Sequence, residues 1–273
     1  MSARSSVPLR YLPTSLRALS RYFFAMGLAG VIAGVLVGGI GGRIVMRGAT
    51  LVSSIRGVRT EAGARVGEFT LEGTIEIVVF VGIFSGLFGA VFYAVTRPWL
   101  MWAGKWHGAL FGIFLFAIGS ATSDALNPDN RDFFLLDNNH LIVLMFFALF
   151  VLFGIAIAGL FSWLDRRLPR FDKAAPFIRV EYVVATALGL PLLFGVVRGL
   201  ITRELCECDP PLVAGIAFFV LTFVTIATWV LGQSDRNSRT AAAFRLAGWT
   251  ALGVATLAGA IRALSDISEI VSL

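Results

Sequence analysis

Residues 25–43 read AMGLAGVIAGVLVGGIGGR, an apolar run that meets its first charge at Arg43. A helix rises 1.5 Å per residue, so a run of about 20 residues covers the roughly 30 Å hydrocarbon core of a bilayer. A buried helix of a soluble domain has no need of that length. Within the run Gly30, Gly34, Gly38 and Gly42 recur every four residues and share one helix face. Lipid tails supply no hydrophobic drive between helices, so association in a membrane relies on close backbone contact, which glycine permits. The stretch therefore predicts a membrane-spanning helix with a ridge made to receive another helix.

Outward from it, similar apolar runs occupy 22–43, 71–96, 108–122, 141–163, 178–198, 212–231 and 244–264. About seven spans in a single domain, 1–273, make an all-α, polytopic transmembrane helical bundle. The third run is short and must tilt little, thin the bilayer or be enclosed by neighbours. Composition agrees: 57% of residues are hydrophobic and 15% charged, with mean hydropathy +0.83. Soluble domains carry about 45–50% apolar and about 25% charged residues. The net charge of +6 comes without a basic face interleaved with aromatics, so no nucleic-acid partner is expected. The basic start (Arg4, Arg10, Arg17, Arg21) precedes a long apolar segment with no small-residue cleavage motif. It reads as a retained first span, not a cleaved leader.

Charge orients the bundle. Alternate gaps hold 14 of the 23 basic residues with four of the 17 acidic ones. Lysine and arginine stay on the cytoplasmic side, which predicts N-in and, with seven spans, C-out. All six tryptophans and all four tyrosines fall towards the same inner side. Both residue types pair an apolar ring with a polar handle and favour the membrane interface.

The glycine ridge has a natural partner in Gly82, Gly86 and Gly89 of the second run. Packing within the chain is the ordinary reading. A membrane-protein partner or a homo-oligomer through Gly30, Gly34, Gly38 and Gly42 is the alternative. Pro191 interrupts the fifth run and predicts a kink.

Charged residues collect at the outer ends. Arg43 and Arg47 stand four apart, as do Glu72 and Glu76, and Arg262 and Asp266; Arg198 closes the fifth run. Four-residue spacing places each pair on one helix face. Charges at membrane depth turn to the bundle interior or to water. These seven residues form a candidate charged vestibule lined by spans one, two, five and seven, or an ion-pair network that fixes helix register. Arg43 and Arg47 are expected to pair with Glu72 and Glu76. Residues 59–70 carry turn residues between loosely alternating positions, the pattern of a small extracytoplasmic hairpin.

The stretch from GGRIVMR (41–47) through RTEAG (59–63), VGEFT (66–70) and LEGT (71–74) resembles uncharacterised bacterial multi-span integral membrane proteins. RPW (97–99) and NPDNRDF (127–133) extend the resemblance. It implies a bacterial cytoplasmic membrane protein and no particular activity.

Other groups point to little chemistry. Cys206 and Cys208 form a C-x-C with Glu204 and Asp209 nearby, but zinc prefers four ligands. An intermolecular disulfide is the other use of such a pair. His107 and His140 lie at opposite faces and cannot share a haem. The loop 124–132 lacks the central glycine and terminal glutamate of a calcium loop. No G-x-S-x-G, Walker A, H-E-x-x-H or C-x-x-C-H motif occurs. Catalytic, metal and cofactor residues are thus assigned to none. The first functional reading is a non-enzymatic accessory or scaffold component. The second is a small-solute or ion transporter or channel using the vestibule. The third is a lipid-headgroup enzyme with Arg43 and Arg47 on phosphate and Glu76 as acid.

Overall fold

The computed structural model describes residues 13, 15–52, 71–119, 126–129, 138–202, 211–231 and 239–272. All secondary structure among them is helical. α1 (Leu16–Ala33) passes through a π-helical stretch, Gly34–Gly41, into α2 (Gly42–Val52). α3 (Leu71–Glu76) leads through a second π-helical stretch, Ile77–Phe84, into α4 (Ser85–Leu100). A 3₁₀ turn, Met101–Trp106, opens α5 (His107–Gly119). The remaining helices are α6 (Asn139–Arg167), α7 (Pro176–Thr202), α8 (Leu212–Leu231) and α9 (Arg239–Ser272). The hairpin expected at 59–70, the Cys206 and Cys208 pair and most of loop 124–132 lie outside the described residues.

Among the described residues six helical stretches are long and apolar enough to cross a membrane: Leu16–Gly48, Ile77–Gly119, Asn139–Arg167, Pro176–Thr202, Leu212–Val230 and Ala242–Ser272. The second does not run straight. Gly104 has φ 56° and ψ −122°, a conformation that suits glycine. Beyond it the chain turns back, so Tyr93 meets Phe111 at 4.8 Å between ring centroids and Phe92 meets Phe114 at 6.4 Å. Within Ile77–Gly119 the runs that begin at 71 and 108 thus form two antiparallel arms of one helical stretch. Pro191 stands inside α7, which continues past it to Thr202.

α4 is the axis of the bundle. Around it α1, α6, α5, α9, α8 and α7 follow in order, each packed on the next and the last on the first. A helix apolar on every side belongs at a centre, and α4 buries Ala90, Val91, Phe92, Tyr93, Val95, Trp99 and Leu100. Phe111 of α5, Phe161 of α6 and Phe218 of α8 fill the space against it, all fully buried. Among the described residues the buried threonine hydroxyls near this core turn inward on their own helices: Thr96 donates to Phe92 O (2.8 Å) and Thr225 to Leu221 O (2.7 Å). Back-bonding of this kind satisfies a polar group where water is absent.

Glycine sets how closely the helices approach. A β-carbon on Gly30 would sit 2.6 Å from Ala90 Cβ, one on Gly34 2.7 Å from Gly86 Cα, and one on Gly38 2.7 Å from Val81 O. The ridge therefore meets Gly82 and Gly86 within the chain, as its spacing suggests. Gly42 has open space above it, and Gly89 faces Phe153 of α6, not the ridge. The π turns help to keep the ridge in line. In an α-helix a four-residue step overshoots a turn of 3.6 residues, while a π turn takes roughly 4.4, so the drift reverses from Gly34 onward. The two π stretches lie against each other at this crossing.

Pro98 lies in the last turn of α4 and supplies no N–H to Ala94 O, four residues back. Tyr22 of α1 does so instead, its hydroxyl donating at 3.2 Å. Removing that hydroxyl (Tyr22→Phe) leaves a carbonyl without its donor in an apolar core. A loss of roughly 1–3 kcal/mol is expected, read as a lower unfolding temperature in detergent; an unchanged temperature would show that another group serves Ala94.

Candidate functional site

The helix ends gather into two unlike sets. At one end Arg21 pairs with Asp165 (2.8 Å) and Arg17 with Asp172 (2.8 Å), fastening the start of α1 to the α6–α7 connection. Arg179 adds hydrogen bonds to Ala174 O (2.8 Å) and Asp172 O (3.2 Å). Tyr22 and Tyr93 both pack edge-on against Phe161, and the Arg97 guanidinium lies over the same ring at 4.6 Å. Trp99 donates its indole N–H to Thr225 Oγ1 (2.9 Å) and meets Trp249, which also meets Trp102. Trp229 donates to Pro13 O. Trp106 carries Lys105 over its ring (5.4 Å) and Trp163 carries Arg167 (5.6 Å). All six tryptophans thus stand at one end of the bundle, with Arg17, Arg21, Arg97, Lys105, Arg167 and Arg179.

Sequence reasoning placed His107 at this end without a task. Its Nδ1 lies 2.6 Å from Gly104 O, a carbonyl that can only accept, so this nitrogen carries the proton. The ring stacks on Tyr93 (6.3 Å, 20°). His107 Nε2 and Tyr93 Oη are both buried with no hydrogen-bond partner among the described residues. His140, at the other end, is exposed.

The opposite end holds the proposed vestibule residues. Arg262 Nε meets Asp266 Oδ1 at 3.1 Å one helical turn along α9, as their four-residue spacing suggests. Asp266 is buried, while Arg262 reaches solvent or headgroups. Nearby, Asn139 at the start of α6 donates to Ile270 O (2.9 Å), and Ile270 packs with Leu126 and Ile142. Arg43 is half-buried and Arg47 exposed on α2. The first helical stretch leans on α6, because Gly41, at the end of the π stretch, seats Leu149 and Gly48 of α2 seats Met145. Glu76 is exposed at the end of α3, Arg198 is exposed on α7, and the Glu72 side chain lies outside the described residues. The structure brings Arg262 and Asp266 together; α2, which carries Arg43 and Arg47, packs against α6 at Gly48. Among the described residues no group of three or more histidine, cysteine or acidic side chains is placed to hold a metal ion.

No protein-family model, curated protein or solved structure matches the chain.

Proposed function

We propose that this protein is a non-enzymatic integral membrane component, an accessory or scaffold subunit of a bacterial cytoplasmic membrane. The observation that carries the reading is the occupied axis. α4 fills the middle of the helix ring and is sealed by aromatic side chains and by glycine-mediated backbone contact. Conduction needs polar or water-filled passage at that depth, and here the depth is apolar. The paired Arg262 and Asp266 fit charges that fix helix register. Arg43 and Arg47 with Glu72 and Glu76 belong to the same proposal, since the antiparallel crossing of Gly39 on Val78 carries α2 and α3 towards the same end.

The proposal counts seven passes, with the turn at Gly104 dividing Ile77–Gly119 into two. It puts the N-terminus in the cytoplasm and the C-terminus outside. The arginine and tryptophan end supports that sense.

Two measurements test it. Reconstituted in liposomes, the protein is expected to add no ion or small-solute permeability over protein-free vesicles. A flux abolished by Arg43→Gln would overturn the scaffold reading in favour of transport. With Cys206 and Cys208 replaced by serine, a single cysteine introduced at Ser238 should resist an impermeant maleimide in intact cells and react after lysis. Labelling in intact cells would reverse the orientation.

A further inference from the structure

The Gly104 turn has an arrangement that packing does not require. Trp102 and Trp106 are 60% and 63% exposed although both are large aromatics. Between them Lys105 is exposed, its Nζ laid over the Trp106 ring. Trp163 of α6 is 48% exposed and carries Arg167 in the same manner. α5 and α6 run antiparallel, Gly112 against Val151 and Gly108 against Gly154 and Ala158. That register brings the turn alongside the Trp163 end of α6.

We infer that the Gly104 turn and the adjoining end of α6 form a binding surface for anionic phospholipid headgroups. The chemistry is complementary. Indole rings settle at the glycerol level of a bilayer. A cation held over each ring is kept at that depth, where it meets phosphate instead of bulk water. Lys105 and Arg167 supply the charge, and Trp106 and Trp163 set its height. This inference depends on the membrane setting and not on the scaffold reading; a protein that transports would carry the same surface.

The test uses the full chain purified in mild detergent, with native mass spectrometry counting retained phosphatidylglycerol against phosphatidylcholine. Preferential retention of phosphatidylglycerol is expected, weakening as salt is raised. Each cation removed (Lys105→Gln, Arg167→Gln) should weaken retention roughly five-fold, and Trp106→Ala should also weaken it. Phosphatidylglycerol should raise the unfolding temperature of the parent protein and raise it less for the double variant. Equal retention of both lipids, or full retention by the double variant, would overturn the inference. If inorganic phosphate alone reproduces the thermal shift, the surface takes free phosphate and the lipid assignment is wrong. Should the double variant fold poorly, the salt dependence of the parent protein decides: retention indifferent to salt rejects the inference.

Discussion

Isoleucine at Gly34 is expected to pull the first helical stretch off the second and to cost about 3 kcal/mol or more, the upper end of overpacking. The reason lies in what the new side chain meets. Its β-carbon would strike Gly82 O and come within 2.7 Å of Gly86 Cα. Both belong to a backbone that has no rotamer to change, so the clash is relieved only by separating the helices. Separation then forfeits the neighbouring contacts at Gly30 and Gly38, which depend on the same spacing. Dispersion falls steeply over such gaps. The control is Gly42→Ile on the same ridge, where nothing lies within 4 Å. Its unfolding temperature in detergent should match that of the parent protein. Equal losses at Gly34 and Gly42 would mean that isoleucine acts through the helix backbone or the lipid, and the crossing would not be the cause.

That crossing was legible because its signal is local. Glycines at a four-residue period fall close to one helix face, and Gly82 with Gly86 repeats the period on the next run. The tryptophan belt was legible for a related reason: alternate gaps of a chain that crosses repeatedly fall on the same side. The Arg262 and Asp266 pair needed only helical spacing. What stayed hidden depends on which helix neighbours which. The central place of α4 follows from six other helices packing around it, and the sequence hints at it only through a run apolar on every side. The Tyr22 bond to Ala94 O joins a proline on one helix to a hydroxyl on another, a match no single segment displays. Of the two π stretches the first is rich in glycine, while the second, IVVFVGIF, has no mark in its composition. The packing of the first helical stretch on α6 was hidden for the same reason: the role of Gly41 and Gly48 is visible only once Leu149 and Met145 are seen above them.

The second large effect is expected at a glycine contact that the sequence also carried, unnoticed. Gly108 and Gly112 stand four apart at the head of α5, and Gly154 of α6 has no glycine four residues to either side. In space they interlock. A β-carbon on Gly154 would meet Gly108 O and lie 2.5 Å from Gly112 N, while one on Gly112 would lie 2.5 Å from Val151 Cα and 2.6 Å from Phe150 O. Every obstacle named here is backbone. α5 also has little room to retreat. It spans 13 residues, is tied to α4 by the Gly104 turn, and is braced behind by α9, where a β-carbon on Gly259 would lie 2.5 Å from Ala117 O. Gly154→Leu is therefore expected to lose about 3 kcal/mol or more, as an overpacked contact that cannot relax. Gly159→Leu, five residues along the same helix with nothing within 4 Å, should lose little. Gly112→Leu should match Gly154→Leu, because either one opens the same seam. Once the seam is open the second leucine meets no further clash, so the double variant should fall well short of the summed losses. Additive losses would show that each leucine disturbs its own surroundings and that α5 and α6 do not share one glycine contact.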